Sequence, residues 1–374
     1  MGDRPLKILH LMSCRGWSSD AYWAGRIVCE LERVGQDVTL AFRLGVPKVE
    51  TGLRDLGVNR LARLEMASGL APGADVRDLI ALRRLLPEFD LVHVHRGKEH
   101  WLATVANLLL PAPRPLVRTR HIMLPVKAHP PNRWLYARTD LVITVSEAYR
   151  QGYLATGLVA PDRLLALPGG VDSRRFTPDA KGLRFRQWLG VTAEDRVVGV
   201  VARLRPMKGH PTFLEAIARL ARHYPGLRAV LIGEGPERDR LQQLTGRLGL
   251  GERVSFLGHV EPLPEAIAGL DVGVYASDAS EGMGRVLFEY MSAGRPIVAT
   301  QVGLAAEIFR NGESALLVPP RDPVALADGI RRLLHDRGHS ATLGANARRL
   351  VEERYSGEVV ATRLLERYRL LVSG

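Results

Sequence analysis

The sequence predicts an α/β protein made of two doubly wound domains, each built on a parallel sheet. At 374 residues the chain is longer than one ordinary hydrophobic core. Apolar strand-like runs alternate with helical patterns along the chain, as they do in parallel α/β sheets. A turn-rich segment, Leu167–Pro178, divides two such series of similar size. Two halves of this kind predict a cleft between them, where ligands commonly bind.

The first half of the chain contains five strand-like runs with helical stretches between them. The predicted strands are Lys7–Met12, Asp37–Phe42, Asp90–His95, Pro115–Arg118 and Asp140–Val145. The predicted helices include Ala21–Val34, Val76–Leu86 and Glu99–Leu110. Several of these strands lead directly into polar side chains, among them His95 and His121. Because ligands bind at the carboxyl ends of parallel strands, these side chains are candidate site residues.

A second series of strands and helices follows the turn-rich segment. The predicted strands are Val197–Ala202, Arg228–Ile232, Arg253–Leu257, Asp271–Tyr275 and Pro296–Thr300. The predicted helices include Pro211–Arg222, Ser340–Tyr355 and Gly357–Val372. Asp322 followed by Pro323 predicts a further helix start, with the aspartate at the cap and the proline in the first turn.

The chain is basic, with a formal net charge of +12. Residues 1–175 hold 25 basic and 17 acidic side chains, against 27 and 23 in the remainder. This charge suits an anionic membrane surface, a phosphorylated substrate or nucleic acid. The basic residues are scattered and no nucleic-acid-binding motif occurs, so we predict no nucleic-acid partner.

The sequence also carries signals about its compartment. No apolar run approaches the roughly 18 residues that span a bilayer. The apolar stretch near the N-terminus is too short and interrupted for a signal peptide. Two cysteines, Cys14 and Cys29, fit a reducing environment. We therefore predict a cytoplasmic protein, either free or peripheral on the inner face of the cytoplasmic membrane.

Two carboxylates eight residues apart, Glu281 and Glu289, flank the start of a predicted helix. Glycines 282 and 284 follow the first of them, directly after a buried strand. A strand, a glycine turn and a helix start offer backbone N–H groups and a positive helix end to a phosphate. Carboxylates beside such a site can accept hydrogen bonds from sugar hydroxyls. The alternative is an i,i+4 surface pair between Arg285 and Glu289, which contributes only a few tenths of a kcal/mol.

A second anion-binding pattern lies at the first strand-to-helix turn of the second half. Arg203 and Lys208 stand five residues apart there, and such a pair suits a diphosphate. The alternative is a solvated basic loop. The nearby Gly233-Glu-Gly235 lacks the third glycine and the acidic residue of a dinucleotide fingerprint. We therefore predict no NAD site.

Taken together, these motifs resemble those of the retaining glycosyltransferases of family GT4. The matching segments follow in order: Val198–Gly209, Leu231–Pro236, Val254–Gly258, Glu281–Thr300 and Leu316–Pro323. The resemblance implies the GT-B fold, in which two Rossmann-like doubly wound domains face a central cleft. It implies an N-terminal acceptor domain over residues 1–172 and a nucleotide-sugar donor domain over residues 173–356. The last helix, about 357–374, is expected to pack back on the N-terminal domain.

The resemblance also implies a reaction. A hexose would pass from a UDP- or GDP-sugar to an acceptor with retention of anomeric configuration. No cofactor and no metal are expected, and the sequence contains no Asp-x-Asp pair of the kind that holds a metal in the other major glycosyltransferase fold. Fixed positive groups would instead stabilise the leaving nucleoside diphosphate.

For the C-terminal half, the resemblance implies a role for each matching residue. Glu281 is similar to the first glutamate of the family's E-x7-E motif, which contacts the donor sugar, and Glu289 to the second, which holds the ribose. Arg203 and Lys208 match the pair that neutralises the diphosphate. Gly282, Met283 and Gly284 would contribute main-chain contacts to the sugar and phosphates. Gly258 and His259 would contact the nucleotide base, mostly through the main chain.

The N-terminal half matches the family at fewer positions. Gly16 follows the first strand, where relatives carry a glycine pair that approaches the diphosphate, but the next residue here is Trp17. His121 ends a predicted strand, and in this it is similar to a histidine of the family that ends a strand near the transferred sugar. We expect His121 to bind the donor sugar or the developing charge rather than to act as a base.

The acceptor is predicted to be a glycan or a lipid-linked glycan, in cell-envelope polysaccharide or lipopolysaccharide synthesis. The basic N-terminal half and its aromatic residues point to peripheral membrane association. Those aromatic residues, which are equally consistent with a buried core, are Trp17, Tyr22, Trp23, Trp101 and Trp134. Two alternatives keep the donor site: an enzyme similar to UDP-GlcNAc 2-epimerase, and a non-catalytic subunit that binds a nucleotide sugar.

Overall fold

The computed structural model describes residues 4–121, 126–279 and 282–374. The chain divides into two units. Unit 1 comprises Met1–Gly170 and Gly357–Gly374, and unit 2 comprises Val171–Ser356. Each unit contains one parallel sheet with helices on its faces. The α/β prediction of two doubly wound, Rossmann-like halves is therefore confirmed.

Unit 1 is built on a seven-stranded sheet, and its strand order is β3-β2-β1-β4-β5-β6-β7. The strands are β1 (Lys7–Met12), β2 (Asp37–Arg43), β3 (Leu61–Leu64), β4 (Leu91–Val94), β5 (Leu116–Arg120), β6 (Leu141–Thr144) and β7 (Leu164–Ala166). The helices are α1 (Ser19–Arg33), α2 (Pro47–Asp55), α3 (Pro72–Leu85), α4 (Gly97–Leu108), α5 (Pro130–Ala137), α6 (Glu147–Thr156) and, at the C-terminus, α15 (Gly357–Ser373). The order reverses direction between the neighbouring strands β1 and β4.

Unit 2 is built on a six-stranded sheet of order β10-β9-β8-β11-β12-β13. The strands are β8 (Arg196–Val201), β9 (Leu227–Ile232), β10 (Val254–Gly258), β11 (Val272–Tyr275), β12 (Ile297–Thr300) and β13 (Leu316–Val318). The helices are α7 (Gly182–Trp188), α8 (His210–Ala221), α9 (Arg238–Arg247), α10 (Leu263–Ala268), α11 (Arg285–Ser292), α12 (Gly303–Ile308), α13 (Pro323–His335) and α14 (Arg337–Arg354). Here the order reverses between β8 and β11.

Each sheet is covered by apolar side chains of its helices. In unit 2, Val198 and Val200 of β8 pack with Phe213 of α8 on one face, while Val197 and Phe288 belong to the core of the other face. Such burial on both faces explains why the strands of this sheet read as continuous apolar runs in the sequence.

Local signals placed several helix boundaries correctly. The Asp322 carboxylate accepts hydrogen bonds from the N–H groups of Val324 and Ala325, each at 2.9 Å, which confirms the predicted cap of α13.

In unit 1 the last helix, α15, lies against α1, and Gly357 packs on the Glu30 side chain. Among the described residues, every helix is too short or too polar to cross a membrane.

Three strands were not predicted: β3, β7 and β13. Each has only three or four residues. All three strands lie at sheet edges, so each pairs with one neighbour. Each carries a short or partly exposed apolar pattern. Edge strands of this length leave a weak periodic signal in a sequence.

Candidate active site

The candidate site of unit 2 lies at the carboxyl edge of its sheet. Strands β8 and β11 pair in parallel, and the strand order reverses between them. Ligands of open α/β sheets bind at the carboxyl ends of strands beside such a reversal. Arg203 and Lys208 follow β8, and Gly282, Met283 and Gly284 follow β11. Two motifs that lie about 75 residues apart in the sequence therefore share one edge of the sheet.

The loops that follow β8 and β11 touch through their backbones. The turn Pro206–Lys208 is anchored by its Met207 carbonyl, which accepts a hydrogen bond from the Asp278 N–H at 3.0 Å. Gly209 follows with φ +66°, and a Cβ there would lie 1.7 Å from the Ala276 carbonyl oxygen. Only glycine fits this position, and the contact fixes the lysine-bearing turn to the loop after β11.

The Gly-x-Gly sequence after β9 has a related structural role. A Cβ on Gly233 would lie 2.1 Å from the Ala202 carbonyl oxygen, and one on Gly235 would lie 2.2 Å from that of Leu204. The Leu204 N–H also donates to the Glu234 carbonyl oxygen at 2.9 Å. These glycines allow close packing beneath the loop that carries Arg203, a role consistent with the rejection of an NAD site.

The two basic side chains differ in exposure. Arg203 is exposed, whereas Lys208 is half-buried. The guanidinium and the ammonium on one loop give an anion both a bidentate donor and a point charge. The arrangement can therefore hold a diphosphate at the carboxyl edge of unit 2.

The glycine turn before α11 requires the residues found there. Gly282 has φ +136° and Gly284, which precedes the first residue of α11, has φ +55°. Both conformations favour glycine. The Leu287 N–H donates to the Gly284 carbonyl oxygen at 2.9 Å, and the positive end of the α11 dipole favours an anion beside this turn. Met283 packs partly against the core of unit 2. Glu281, the first predicted glutamate, lies outside the described residues.

Glu289 is buried and paired with an arginine of the same helix. Its side chain is 2% exposed, and its Oε1 atom accepts from Arg285 Nε at 2.8 Å. The sequence offered this pair as the alternative to a ribose contact; the structure contains the pair, and the ribose contact stays a prediction. The pair is not the surface interaction considered from the sequence, since the carboxylate is buried. A buried carboxylate needs a cation or a hydrogen-bond donor, and Arg285 provides both.

The predicted base-binding residues end the strand β10. Gly258 has φ +66°, and its carbonyl oxygen accepts from the Gly233 N–H at 2.7 Å. The His259 side chain is 81% exposed and lies 3.8 Å from a carboxylate oxygen of Glu261. Because β10 is two strands from β8, these residues lie about 10 Å from the basic loop along the same edge.

In unit 1, Gly16 follows β1 at the carboxyl edge of the other sheet. A Cβ on Gly16 would meet nothing within 4 Å. The Trp17 ring lies against Gly52, where a Cβ would come within 2.5 Å of it. The indole that replaces the family's second glycine therefore packs on α2 and leaves the Gly16 backbone open.

The candidate His121 belongs to a buried group of imidazoles at the same edge. His10 Nδ1 lies 2.9 Å from His95 Nε2, and His95 Nδ1 lies 3.2 Å from His121 Nε2. The Trp23 indole packs against His121 in a T-shaped arrangement, with ring centroids 5.2 Å apart. The sequence identified His121 and His95 but missed His10, which stands inside β1 and reaches the others only through strand pairing.

A fourth imidazole, His93, packs beside this group. Its ring stacks on that of His95 with centroids 4.4 Å apart. His93 Nε2 shares a hydrogen bond of 2.7 Å with Thr119 Oγ1, and Nδ1 shares one of 2.5 Å with the Tyr368 hydroxyl of α15. These contacts join β1, β4, β5 and α15 into one buried polar cluster.

Burial keeps these imidazoles neutral. Desolvation lowers the pKa of His10 to about 3 and the pKa values of His93 and His95 well below the ordinary value. It lowers the pKa of His121 to about 3, although the Asp20 carboxylate acts in the opposite direction. At pH 7 each ring therefore carries one N–H and one lone pair.

The aromatic residues divide between core and surface. Tyr22 and Trp23 are buried, so they are core residues and not part of a membrane-facing surface. Trp101 is 37% exposed and its ring stacks on Trp134, with centroids 5.5 Å apart. Only this pair and the half-buried Trp17 stay compatible with the predicted surface role.

A groove in unit 2 lies away from the site described above. It has a volume of about 770 Å³ and is lined by residues that include Arg196, Asp271 and Pro296. These residues stand at the amino ends of β8, β11 and β12. Since ligands of such sheets bind at the opposite edge, we do not assign the groove to the candidate site.

Family models match both halves of the chain. The model described as glycosyl transferases group 1 matches residues 184–350. The model described as glycosyltransferase family 4 matches residues 23–175. Together these matches cover the whole six-stranded sheet, every strand of the seven-stranded sheet except β1, and the candidate residues that follow β8, β10 and β11.

Curated relatives are similar over most of their length. A GDP-mannose-dependent alpha-(1-6)-phosphatidylinositol monomannoside mannosyltransferase of Mycobacterium tuberculosis is 31% identical over 318 residues, 79% of either chain. A D-inositol 3-phosphate glycosyltransferase of Geodermatophilus obscurus is 34% identical over 290 residues, which is 70% of this chain and 62% of the relative.

Solved structures share the fold. Anabaena HepE in complex with UDP and glucose is 25% identical with a TM-score of 0.79, over 97% of this chain and 99% of HepE. A glycosyltransferase of Rickettsia africae has a TM-score of 0.85 at 18% identity, over 99% of either chain, and that likeness concerns the fold alone.

Proposed function

The chain belongs to glycosyltransferase family 4 as a group 1 glycosyl transferase with the GT-B fold, and we propose that it is a retaining, metal-independent hexosyltransferase that uses a UDP- or GDP-sugar. The observation that carries this proposal is the backbone contact between the loops after β8 and β11. That contact places Arg203, Lys208 and the glycine turn before α11 at one sheet edge.

The reaction breaks the bond between the anomeric carbon and a phosphate oxygen. The bonding electron pair leaves with the nucleoside diphosphate, and the acceptor hydroxyl oxygen bonds to the anomeric carbon on the same face. The hydroxyl proton passes to the departing phosphate. Negative charge grows on the leaving group in the transition state, so positive groups fixed in advance lower the barrier. Arg203, Lys208 and the N-terminus of α11 supply such groups in unit 2.

The proposed roles of the other residues follow the family resemblance. In unit 2, the donor domain, Glu281 contacts the transferred sugar and Glu289 contacts the ribose. Gly258 and His259 lie along the same edge for the base. In unit 1, the acceptor domain, Gly16 approaches the diphosphate and His121 contacts the transferred sugar. The open backbone at Gly16 supports its role.

The donor and the metal requirement are tested by one assay. Purified protein is incubated with single UDP- and GDP-sugars, with and without EDTA, and release of the nucleoside diphosphate is measured. We expect release from at least one donor at a rate that EDTA leaves unchanged. Release from none of the donors would contradict the transferase proposal, and loss of release in EDTA would contradict metal independence.

Glu289→Gln is expected to raise the KM for the donor about 10-fold while kcat changes less than about 3-fold, because a ribose contact is made equally in the ground state and the transition state. The amide removes the charge but keeps the shape of a side chain that is 2% exposed. Steady-state kinetics check the outcome.

The matched control for Glu289→Gln is Arg285→Gln, which removes the other half of the ion pair without removing the proposed ribose acceptor. If the two variants raise the KM equally, Glu289 acts only as the partner of Arg285 and the ribose assignment is wrong.

We propose that the acceptor is a glycan or a lipid-linked glycan of the cell envelope, presented at a membrane surface. Two relatives act, by their names, on a phosphatidylinositol mannoside and an inositol phosphate. The stacked Trp101 and Trp134 beside Arg138, whose guanidinium lies 4.4 Å from the Trp134 ring centroid, offer unit 1 an amphipathic surface of the type found at membrane interfaces. Cosedimentation with anionic against neutral vesicles tests this association.

A further inference from the structure

Three imidazoles of unit 1 form a continuous hydrogen-bonded chain, which we call the histidine chain: His10, His95 and His121. The two links are His10 Nδ1 to His95 Nε2 at 2.9 Å and His95 Nδ1 to His121 Nε2 at 3.2 Å. The two terminal nitrogens, His10 Nε2 and His121 Nδ1, have no hydrogen-bond partner among the described residues.

Neutral rings allow only two proton arrangements in such a chain. His95 has one N–H, so if it donates to one neighbour it must accept from the other. In the first arrangement His121 Nε2 donates to His95 Nδ1, and His95 Nε2 donates to His10 Nδ1. His10 is then left with an unpaired Nε2–H. In the second arrangement His10 donates through Nδ1, His95 donates to His121 Nε2, and His121 is left with a free Nδ1–H.

The surroundings of the two ends favour the second arrangement. His10 is fully buried inside β1, where an unpaired N–H costs more than an unpaired lone pair and is rarely found. His121 Nδ1 is also buried, but His121 follows β5 at the carboxyl edge of the sheet, where the Asp20 carboxylate attracts a donor N–H. A free donor is therefore better placed at His121 than at His10.

We propose that His10 and His95 are positioning residues that hold His121 as its Nδ1–H tautomer, so that His121 donates a hydrogen bond to a substrate oxygen and does not act as a proton acceptor. The substrate part of this inference rests on the proposed function, whereas the tautomer is a property of the protein alone. His93 packs on His95 and keeps the ring plane fixed through Thr119 and Tyr368. The histidine chain thus links the tautomer of His10, a core residue, to the tautomer of His121 at the candidate site.

A metal ion is the competing use of these side chains. Ring nitrogens of His10, His93 and His95 lie within 4.8 Å of one another. The set includes no carboxylate, and the buried Arg118 guanidinium already disfavours positive charge at His93 and His95. A divalent cation would add uncompensated charge to this core, so the hydrogen-bonded chain accounts better for the arrangement.

Nitrogen NMR of the wild-type protein tests the tautomer directly. The protein is labelled with ¹⁵N-histidine, long-range ¹H–¹⁵N correlations are recorded at pH 7, and His121 is assigned by the signals lost in His121→Gln. We expect a protonated Nδ1 and an unprotonated Nε2 for His121, and the same tautomer for His10. A protonated Nε2, an imidazolium or a tautomer average at His121 would overturn the proposal, as would stoichiometric metal in the purified protein.

His95→Phe tests the positioning role, because phenylalanine keeps the stacking on His93 but lacks both ring nitrogens. We expect the His121 signals to lose the single Nδ1–H pattern and kcat to fall about 10-fold with little change in the donor KM. The control is His100→Phe: His100 is equally buried and bonds Thr139 at 2.9 Å, but it takes no part in the chain. Equal loss of kcat in both variants, or an unchanged His121 tautomer in His95→Phe, would overturn the positioning role.

The two readouts separate this inference from the proposed function. If no donor is turned over by the wild-type protein, the proposed function fails while the NMR measurement still decides the tautomer. If donors are turned over but His121 carries its proton on Nε2, the inference fails and the proposed function stands.

Discussion

Lys208→Ala is expected to lower kcat for sugar transfer by about 100-fold, the loss typical of removing one fixed group that stabilises transition-state charge. Lys208 ends a short turn whose backbone is tied to the loop after β11 through Met207 and Asp278. The backbone that carries the ammonium is therefore fixed before the substrate binds. Its loss removes positive charge where the leaving diphosphate becomes more negative.

The control for Lys208→Ala is Lys181→Ala, since these are the two lysines within residues 171–356. Lys181 is exposed and precedes α7 in the same unit. We expect Lys181→Ala to keep kcat within about 2-fold of the wild type, as exposed surface positions rarely matter. Steady-state kinetics with the preferred donor make the comparison. Equal kcat values for the two variants would exclude Lys208 from the diphosphate site.

Gly209→Ala is expected to destabilise unit 2 by about 3 kcal/mol and to reduce kcat by about 100-fold. The residue has φ +66°, and an added Cβ would lie 1.7 Å from the Ala276 carbonyl oxygen. Both sides of that contact are backbone, so relief requires a shift of the turn that carries Lys208 or of the loop after β11. Urea unfolding measures the stability, and steady-state kinetics measure the activity.

Gly190→Ala separates the two causes of this loss. Gly190 has φ +67°, nearly the value at Gly209, but a Cβ there would meet nothing within 4 Å. The control therefore carries the cost of the left-handed backbone, about 1 kcal/mol, without the collision. If Gly209→Ala lost no more stability or activity than Gly190→Ala, the contact between the two loops would not organise the site.

The long, doubly buried strands of both sheets could be predicted because their apolar runs are continuous. β1 was placed at its observed bounds, and β8 to β12 within one residue at each end. β3, β7 and β13 could not be placed, because three or four residues at a sheet edge make no clear pattern. Their presence depends on pairing with a neighbouring strand that is distant in the sequence.

The site was predictable where its chemistry is local. Arg203 with Lys208, and the glycines before α11, each form a motif within a few residues, and strand order then brings the two motifs together. From the sequence the Arg285–Glu289 pair could be described only as an exposed helix pair, whereas its carboxylate is buried in the structure. His10 lies 85 residues from His95, so only the pairing of β1 with β4 could reveal the histidine chain.

The central claim is that unit 2 binds a nucleoside-diphosphate sugar at the carboxyl edge of its sheet, and donor-induced thermal stabilisation tests it most directly. Wild type, Lys208→Ala and Lys181→Ala are melted with and without the donor. We predict that donor at about 100 times its Kd stabilises the wild type and Lys181→Ala by about 2.7 kcal/mol, and that the same concentration stabilises Lys208→Ala far less. The claim is contradicted if no UDP- or GDP-sugar raises the Tm of the wild type, or if Lys208→Ala is stabilised as strongly as the wild type.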